Sequence, residues 1–339
     1  MGNRSSRRRC RVACRLDSEW QPGAQHATKR NMGVKILHEN PNSSIEPGKA
    51  HDHPMSGELP RIIEVMRRTR GRDVGCHDES FLARTVAKRM EATACRTAAN
   101  YSSYLSENLA EAEKLLEALS VTFSEFFRNS LAFALLEDLL LPKLLAEKRK
   151  AGGTEIRVWS AGCAAGQEAY SLAILLDELT TAPEDAISFR IFATDISEAA
   201  LAAAREGVYD TTAVQQVRLR HLRECFTQEG ETYRVCFRLR DRVHISAYDL
   251  LDERSSSPPA GIYGDFDLIV CSNLLLYYRP VVRQTILARL HRALAAAGYL
   301  VTGEAERGIV EQSVGFQTVA LPAAVFQKAP ATPAPGNYG

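Results

Sequence analysis

Hydrophobic positions recur with two different periods along the chain. From about residue 61 to residue 150, apolar side chains lie three and four positions apart, the spacing of one face of an α-helix. This period predicts helices over Arg61–Arg70, Glu79–Ala94, Ser102–Ala110, Glu111–Leu119 and Leu131–Lys150. We therefore expect an N-terminal helical domain over residues 59–135.

The pattern changes at residue 154, where short apolar runs begin to alternate with amphipathic stretches. Predicted strands cover 156–161, 188–195, 266–271, 299–303 and part of 316–327, and predicted helices cover 167–179, 198–206 and 280–296. Strands that alternate with helices in this way are typical of a parallel, doubly wound sheet. We predict an α/β, Rossmann-like domain over residues 136–328, with a small antiparallel β-subdomain inserted at about 208–247.

Both ends of the chain lack a hydrophobic period. Residues 1–58 are rich in Arg, Ser, Asn, Pro and Gly, which predicts a disordered basic extension, and the Pro-rich residues 329–339 predict a flexible tail. Gly2 and Ser6 fit a loose myristoylation pattern, and the arginines could contact nucleic acid or an anionic membrane. An extension without a role is the other interpretation.

Composition narrows the class of protein. The 339 residues include 42 Lys and Arg against 41 Asp and Glu, and a net charge of +1 argues against nucleic acid as the main partner. No apolar run approaches the ~20 residues that span a bilayer, so we expect no stable membrane insertion. The eight cysteines are scattered and form no C-x-x-C pair, which favours reduced thiols without a metal site. We expect a cytoplasmic monomer.

Candidate ligand-binding residues follow the predicted strands, because ligands of open α/β sheets bind at the carboxyl ends of the strands. Gly162 and Gly166 would let the backbone approach a ligand closely, yet the loop has neither a P-loop nor a G-x-G-x-x-G pattern. Asp195 could accept hydrogen bonds from both ribose hydroxyls, and Asp249 could accept one from an adenine amino group. The combination favours an adenosine ligand without a phosphate cradle, for which S-adenosyl-L-methionine is the natural candidate.

Simpler interpretations of these residues stay open. Asp195 could cap the helix 198–206, although Ser197 is better placed to do so. Asn273 could be a turn residue after the strand 266–271, and Tyr277 a half-buried aromatic residue at the entry of a helix.

Four ordered segments, 121–129, 158–173, 193–197 and 271–278, resemble the CheR-type chemotaxis receptor methyltransferases, and the similarity extends from about 61 to 328. The resemblance implies a class I methyltransferase fold with S-adenosyl-L-methionine as cofactor. It also implies methyl transfer to glutamate side chains in cytoplasmic helical segments of methyl-accepting chemotaxis receptors. A methyltransferase with another protein or a small molecule as substrate, and a non-catalytic receptor-binding adaptor, are the alternatives.

The resemblance also implies roles for individual residues. Catalytic roles fall on Arg128 and Tyr277, and cofactor contacts on Thr122, Ser124, Arg128, Gly162, Gly166, Glu168, Asp195, Asp249, Leu250, Ser272 and Asn273. This chain departs from the family pattern at Thr122, Ser124, Gln167, Ala169, Asp249 and Ser272. The retained Glu168, Asp195 and Asn273 favour an enzyme over an adaptor.

A basic face on the second predicted helix is a candidate docking surface. Arg84, Lys88 and Arg89 share this face at the spacing i, i+4, i+5. Such a face is either solvated surface or a contact for an acidic partner. We predict that it docks the glutamate-rich receptor helix.

Overall fold

The computed structural model describes residues 57–180, 187–252, 254–255, 257–258, 261, 264–320 and 323–330. The predicted disordered extension, apart from residues 57 and 58, lies outside these residues. So does the predicted flexible tail, apart from residues 329 and 330.

The N-terminal helices are α1 (Leu59–Arg70), α2 (Glu79–Ala92), α3 (Ala98–Glu107) and α4 (Leu109–Leu119). Local sequence explains their ends: α1 stops at Gly71, whose φ of 64° suits glycine, and the Asp78 carboxylate caps α2 by accepting from the backbone of Ser80 and Phe81. The apolar positions predicted from the helical period form a core of their own, including Ile62, Met66, Leu82, Tyr101, Leu105 and Leu115.

The predicted helix 131–150 is three elements in the structure. Helix α5 (Ser130–Leu135) continues through one π-helical turn, Leu136–Leu140, into α6 (Leu141–Lys150). Pro142 is the second residue of α6, and a proline cannot donate a backbone hydrogen bond and crowds the preceding carbonyl groups. Phe126, Ala132 and Phe133 pack into the core of the following sheet, whereas the core of the N-terminal helices includes residues up to Leu119. The division into domains stays a prediction.

The remaining elements alternate as predicted for an α/β fold. Strands are β1 (Glu155–Ala161), β2 (Ser188–Asp195), β3 (Val208–Asp210), β4 (Phe226–Glu229), β5 (Thr232–Val235), β6 (Val243–Ala247), β7 (Phe266–Cys271), β8 (Leu294–Thr302), β9 (Phe316–Ala320) and β10 (Val325–Lys328). Helices are α7 (Gln167–Thr180), α8 (Glu198–Glu206), α9 (Leu219–Cys225), α10 (Phe237–Arg240), α11 (Pro280–Ala293) and α12 (Arg307–Glu311).

The large sheet has the strand order β6-β2-β1-β7-β8-β10-β9. Its first five strands are parallel, and β10 is antiparallel to both neighbours. Val158 and Leu268 enter the core on one face of the sheet, whereas Trp159 and Ile269 enter the core on the other. A sheet covered on both faces accounts for the near-continuous apolar runs in the sequence, and the Rossmann-like prediction is confirmed.

The inserted antiparallel sheet has the order β3-β5-β4, but it is shorter than predicted. Residues 243–247 belong to the large sheet, where β6 pairs with β2 in parallel from Val243 opposite Ile191. Within the insert, the apolar and polar residues alternate over 233–239, which is typical of a strand, but β5 ends at Val235 and α10 follows.

The predicted helix 280–296 ends earlier in the structure, because α11 stops at Ala293. Strand β8 begins at Leu294, and its pairing with β7 shifts between Phe266 and Leu268. Ala297 in this irregular stretch has a φ of 57°, and a Cβ on Gly298 would lie 2.9 Å from the Phe266 carbonyl oxygen. Gly298 is therefore explained by a close approach between strands.

Candidate functional site

A cavity of about 750 Å³ lies at the carboxyl ends of the parallel strands. Its wall is formed by the loops after β1, β2, β6 and β7, by residues 71–77 between α1 and α2, and by α4. Such a volume falls within the ~300–1,000 Å³ typical of small-molecule sites. The edge of the sheet chosen from sequence is therefore the edge that carries the cavity.

Most of the predicted site residues line this cavity: Ser124, Arg128, Gly162, Glu168, Asp195, Asp249, Ser272, Asn273 and Tyr277. Three predicted cofactor residues are placed elsewhere. Thr122 is exposed, and Leu250 is buried in the core of the sheet. Gly166 packs against α8, where a Cβ would lie 2.9 Å from that of Ala204, so its role is to let two helices approach.

The loop after β1 is tied to the end of β2. The backbone amides of Gly162 and Cys163 both donate to the Thr194 carbonyl, at 2.8 and 2.9 Å. Gly162 has a φ of 79°, and a Cβ there would meet the Leu274 side chain at 2.5 Å. The glycine is thus required by both backbone conformation and contact with the loop after β7.

Asp195 closes β2 with its carboxylate at the cavity wall. One oxygen accepts from the backbone of Ala164 and the other from the backbone of Ser197, each at 2.9 Å. Ser197 caps α8 by accepting from Ala200, so the helix does not depend on Asp195 for its cap. Each carboxylate oxygen retains capacity for a further hydrogen bond from a ligand.

Glu168 lies at the cavity in the first turn of α7. Ser160 Oγ donates to its Oε1 at 2.8 Å. Burial raises the pKa of Glu168 to about 7, although hydrogen bonds from Ser160 and Ser272 oppose the rise. A carboxylate in this position is stabilised in its charged form when a cation binds beside it.

Tyr277 is held between the loop after β7 and the helical part of the chain. Its ring lies 4.8 Å from that of Phe81, and its carbonyl accepts from the Asp78 backbone at 2.8 Å. Burial raises the pKa of Tyr277, whereas the charges of Arg128 and Arg84 lower it. Both arginines therefore carry positive charge toward the Tyr277 side of the cavity.

Two family models match the chain in the order of its architecture. The all-alpha domain of CheR methyltransferases matches residues 57–120, and the S-adenosylmethionine-binding domain matches residues 122–325. The chain belongs to the CheR methyltransferase family. The resemblance predicted from the four sequence segments is confirmed.

Curated relatives agree with this assignment. Chemotaxis protein methyltransferase 1 of Pseudomonas aeruginosa is 34% identical over 198 residues, which cover 57% of this chain and 69% of that protein. A chemotaxis protein methyltransferase of Listeria innocua is 26% identical over 76% of this chain and 93% of its own length. The Salmonella typhimurium protein of the same name is 30% identical over 73% of this chain and 82% of its own length.

The charges in the cavity fit the cofactor of the CheR family. Its described lining contains two arginines, Arg72 and Arg128, and eight carboxylates, Asp73, Glu113, Glu117, Glu125, Glu168, Asp195, Glu198 and Asp249. S-adenosyl-L-methionine carries a sulfonium and an ammonium group but no phosphate, so an acid-rich cavity suits it and would repel a nucleotide. The prediction of S-adenosyl-L-methionine as cofactor is confirmed.

The predicted basic face of α2 is smaller than expected. Arg84 and Lys88 are exposed, but Arg89 turns toward α4 and donates two hydrogen bonds to Glu111, at 2.9 and 2.6 Å. Tyr101 donates to the same carboxylate at 2.8 Å. Because Arg89 neutralises a buried acid, we leave it out of the docking surface.

Sequence reasoning missed Glu306, which ends the short helical turn Glu304–Glu306 after β8 and is fully buried. Its carboxylate accepts from backbone amides of the loop after β7, which carries Ser272, Asn273 and Tyr277. The sequence carries no comparable signal for Glu306, because Asp195 is the last residue of β2 whereas Glu306 lies in a turn beyond the end of β8.

None of the helices in the described part of the chain has the length and apolar character needed to cross a bilayer.

Proposed function

We propose that this protein transfers the methyl group of S-adenosyl-L-methionine to glutamate side chains of chemotaxis receptors, forming methyl esters. The observation that carries the proposal is the gathering of Glu168, Asp195, Asn273 and Tyr277 on one acid-rich cavity in a chain of the CheR family. The names of the curated relatives support a role in chemotaxis.

The cofactor contacts that we propose follow the strand order. Asp195, on β2, would accept from the ribose hydroxyls, and Asp249, after β6, would accept from the adenine amino group. Glu168 would bind the ammonium group of the methionyl part, because a buried carboxylate is stabilised in its charged form by a cation beside it. These contacts place the adenosine half toward β6 and β2, and the other half toward β1 and β7.

The chemistry requires placement more than proton transfer. When bound, S-adenosyl-L-methionine supplies an electrophilic methyl group on a positively charged sulfur. A glutamate acceptor is already an anionic nucleophile at neutral pH, since its ordinary pKa is about 4.3, so no general base is needed. Fixing the acceptor in line and away from water can contribute ~7–11 kcal/mol to lowering the barrier.

Arg128 and Tyr277 are the residues that we propose for this placement. Arg128 lines the cavity, stacks on the Phe123 ring at 5.0 Å and donates to the Phe123 carbonyl at 3.2 Å. A guanidinium held in this way can pair with a carboxylate, either of the acceptor or of the methionyl part. Tyr277, packed on Phe81, would orient the methyl donor.

Arg84 and Lys88 form the docking surface that we propose for the acceptor helix. Both are exposed on α2, and the charge of Arg84 reaches Tyr277. Positive charge beside the methyl-donor side of the cavity would steer an acidic receptor segment toward it.

The test is incubation of the full chain with methyl-labelled S-adenosyl-L-methionine and receptor-bearing membranes. Label that enters the receptor and is released by mild base would support a glutamate ester. Base-stable label would contradict the ester, and label confined to small molecules would favour a methyltransferase with a different substrate. Cofactor binding without any transfer would favour the adaptor.

A further inference from the structure

The loop after β7 has three consecutive backbone amides, of residues 273–275, whose acceptor lies outside the loop. Asn273 has a φ of 58°, in the left-handed region that Asn adopts more readily than most other non-glycine residues. The same loop packs the Leu274 side chain onto Gly162 and carries Ser272 and Tyr277 to the cavity. The group that accepts from these three amides therefore helps to fix the wall of the cavity.

The Glu306 carboxylate makes the contacts that hold it. Oε2 accepts from the backbone of Asn273 at 2.8 Å and of Gly303 at 2.7 Å. Oε1 accepts from the backbone of Leu274 at 2.7 Å and of Leu275 at 2.6 Å. Four charge-assisted hydrogen bonds fill the acceptor capacity of the carboxylate, and three of them fix consecutive residues of the loop.

The surroundings of Glu306 are shaped for this contact. Its side chain has no exposed surface, and a Cβ on Gly303 would lie 2.8 Å from Asn273 Oδ1 and 3.0 Å from Glu306 Oε2. Gly303 has an ordinary φ of −69°, so the close approach, rather than the backbone conformation, explains the glycine.

We propose that Glu306 is a positioning residue for the amino-acid part of the cofactor, acting through the backbone of residues 273–275. The inference rests on the proposed function, because it uses the orientation of the cofactor given there. Glu306 lies behind the β7 side of the site, whereas Asp195 and Asp249 lie on the β2 and β6 side. Loss of Glu306 should therefore weaken contacts with one half of the cofactor only.

Two ligands separate the halves: S-adenosylhomocysteine has both, and 5′-methylthioadenosine lacks the amino-acid part. Glu306→Gln keeps the shape of the side chain but replaces one acceptor oxygen with an NH2 group. That group is a donor and would face two of the four backbone N–H donors without accepting from them. By calorimetry, the variant should bind S-adenosylhomocysteine about tenfold or more weakly than the wild type and methylthioadenosine within about threefold. Equal loss for the two ligands, or no loss for either, would overturn the proposal.

A matched control lies in the same turn. Glu304 also accepts from a backbone amide, that of Ala324 at 2.9 Å, and pairs with Arg307 at 2.6 Å, but it does not contact the loop after β7. Glu304→Gln should leave the affinities for both ligands within about twofold of the wild type. A selective loss of S-adenosylhomocysteine in this variant would contradict the assignment to Glu306.

A second variant decides the matter if Glu306→Gln does not fold. Gly303→Ala keeps the carboxylate but pushes Asn273 and Glu306 apart. It should therefore also lose affinity for S-adenosylhomocysteine and not for methylthioadenosine, by a smaller factor than Glu306→Gln. Equal affinities for both ligands in Gly303→Ala and the wild type would overturn the proposal. If the wild type binds neither ligand, the proposed function fails first, and that result is separate from any difference between the variants.

Discussion

Asp195 and Glu168 are both carboxylates at the cavity, but their environments differ. Asp195 accepts two backbone hydrogen bonds, whereas burial raises the pKa of Glu168 to about 7. Hydrogen-bond donors stabilise a charged carboxylate, and desolvation disfavours it. We therefore expect different behaviour from the two residues when they are substituted.

Asp195→Ala should weaken cofactor binding at any pH near neutrality. The variant would lose two ribose contacts, each worth about 1.5–3 kcal/mol before compensation, so a loss of at least about tenfold in affinity is expected. Calorimetry with S-adenosylhomocysteine measures it, with Glu206→Gln at the exposed end of α8 as a control. Unchanged affinity in Asp195→Ala would contradict its placement on the ribose.

Glu168 should make cofactor affinity depend on pH. The charged form binds the ammonium group, and the fraction in that form grows as pH rises through about 7. Affinity for S-adenosylhomocysteine should therefore rise severalfold between about pH 6 and 7.5. Glu168→Gln should bind more weakly with a flat profile, and an unchanged slope in that variant would assign the titration to another group.

Residues that act through distant partners were the hardest to predict. The spacing of Arg84, Lys88 and Arg89 is visible in the sequence, but Arg89 pairs with Glu111 of another helix, 22 positions further along the chain. Glu306 likewise acts on a loop 31 to 33 positions away in the chain. By contrast, Asp195 and Asn273 could be predicted, because the ends of buried strands are readable and parallel strands bring those ends together.

At the scale of elements, helix α2 carries an exposed arginine, Arg84, and an arginine in an ion pair, Arg89. We expect substitutions of the first to affect receptor methylation and substitutions of the second to affect stability. Reversing Arg84 and Lys88 to Glu should slow receptor methylation, lowering kcat/KM while cofactor affinity stays at the wild-type value. These positive charges would speed the diffusional encounter with the acidic receptor helix. Wild-type activity should therefore also fall as added salt shortens the screening length, which is about 8 Å at physiological ionic strength. If the double variant methylates the receptor at the normal rate in low salt, this face is only solvated surface and does not dock the receptor.

Arg89→Met should instead affect stability. Its side chain is 21% exposed, and it neutralises Glu111, whose side chain is 4% exposed, so removing it leaves a buried charge without its partner. We expect a loss of about 3 kcal/mol in the free energy of unfolding, measured by denaturant titration, against less than about 0.5 kcal/mol for Arg84→Met. Similar losses for the two variants would mean that the ion pair does not stabilise the helical core.

Element types were predictable, but several ends were not. Helices α8 and α1 stop at Gly207 and Gly71, both in the left-handed conformation. Glycine favours that conformation, so these two ends can be predicted from the sequence. Helix α11 ends within an alanine-rich stretch, where a strand pairing with β7 takes over and no residue marks the change. The predicted insert includes residues 243–247, which form β6 of the large sheet. The position of β6 beside β2 depends on tertiary pairing and is not visible in the local sequence.

At the scale of the whole molecule, the family match begins at residue 57, and the preceding residues lie outside the described part of the chain. Their composition predicts no packed core, so we expect a chain that starts at Met55 to keep wild-type turnover. Steady-state methylation of receptor membranes by the two chains is the comparison. A large fall in kcat with an unchanged unfolding midpoint would give the extension a role in catalysis.

The central claim is that one cavity binds S-adenosyl-L-methionine and delivers its methyl group to receptor glutamates. Mass spectrometry of receptor peptides after reaction with the wild-type chain tests it most directly, with Asp195→Ala as the control. The account predicts the added mass of one methyl group on glutamates of the cytoplasmic helical segments, removed by mild base and greatly reduced with the variant. Unmodified glutamates after incubation with wild-type protein that binds the cofactor would contradict it.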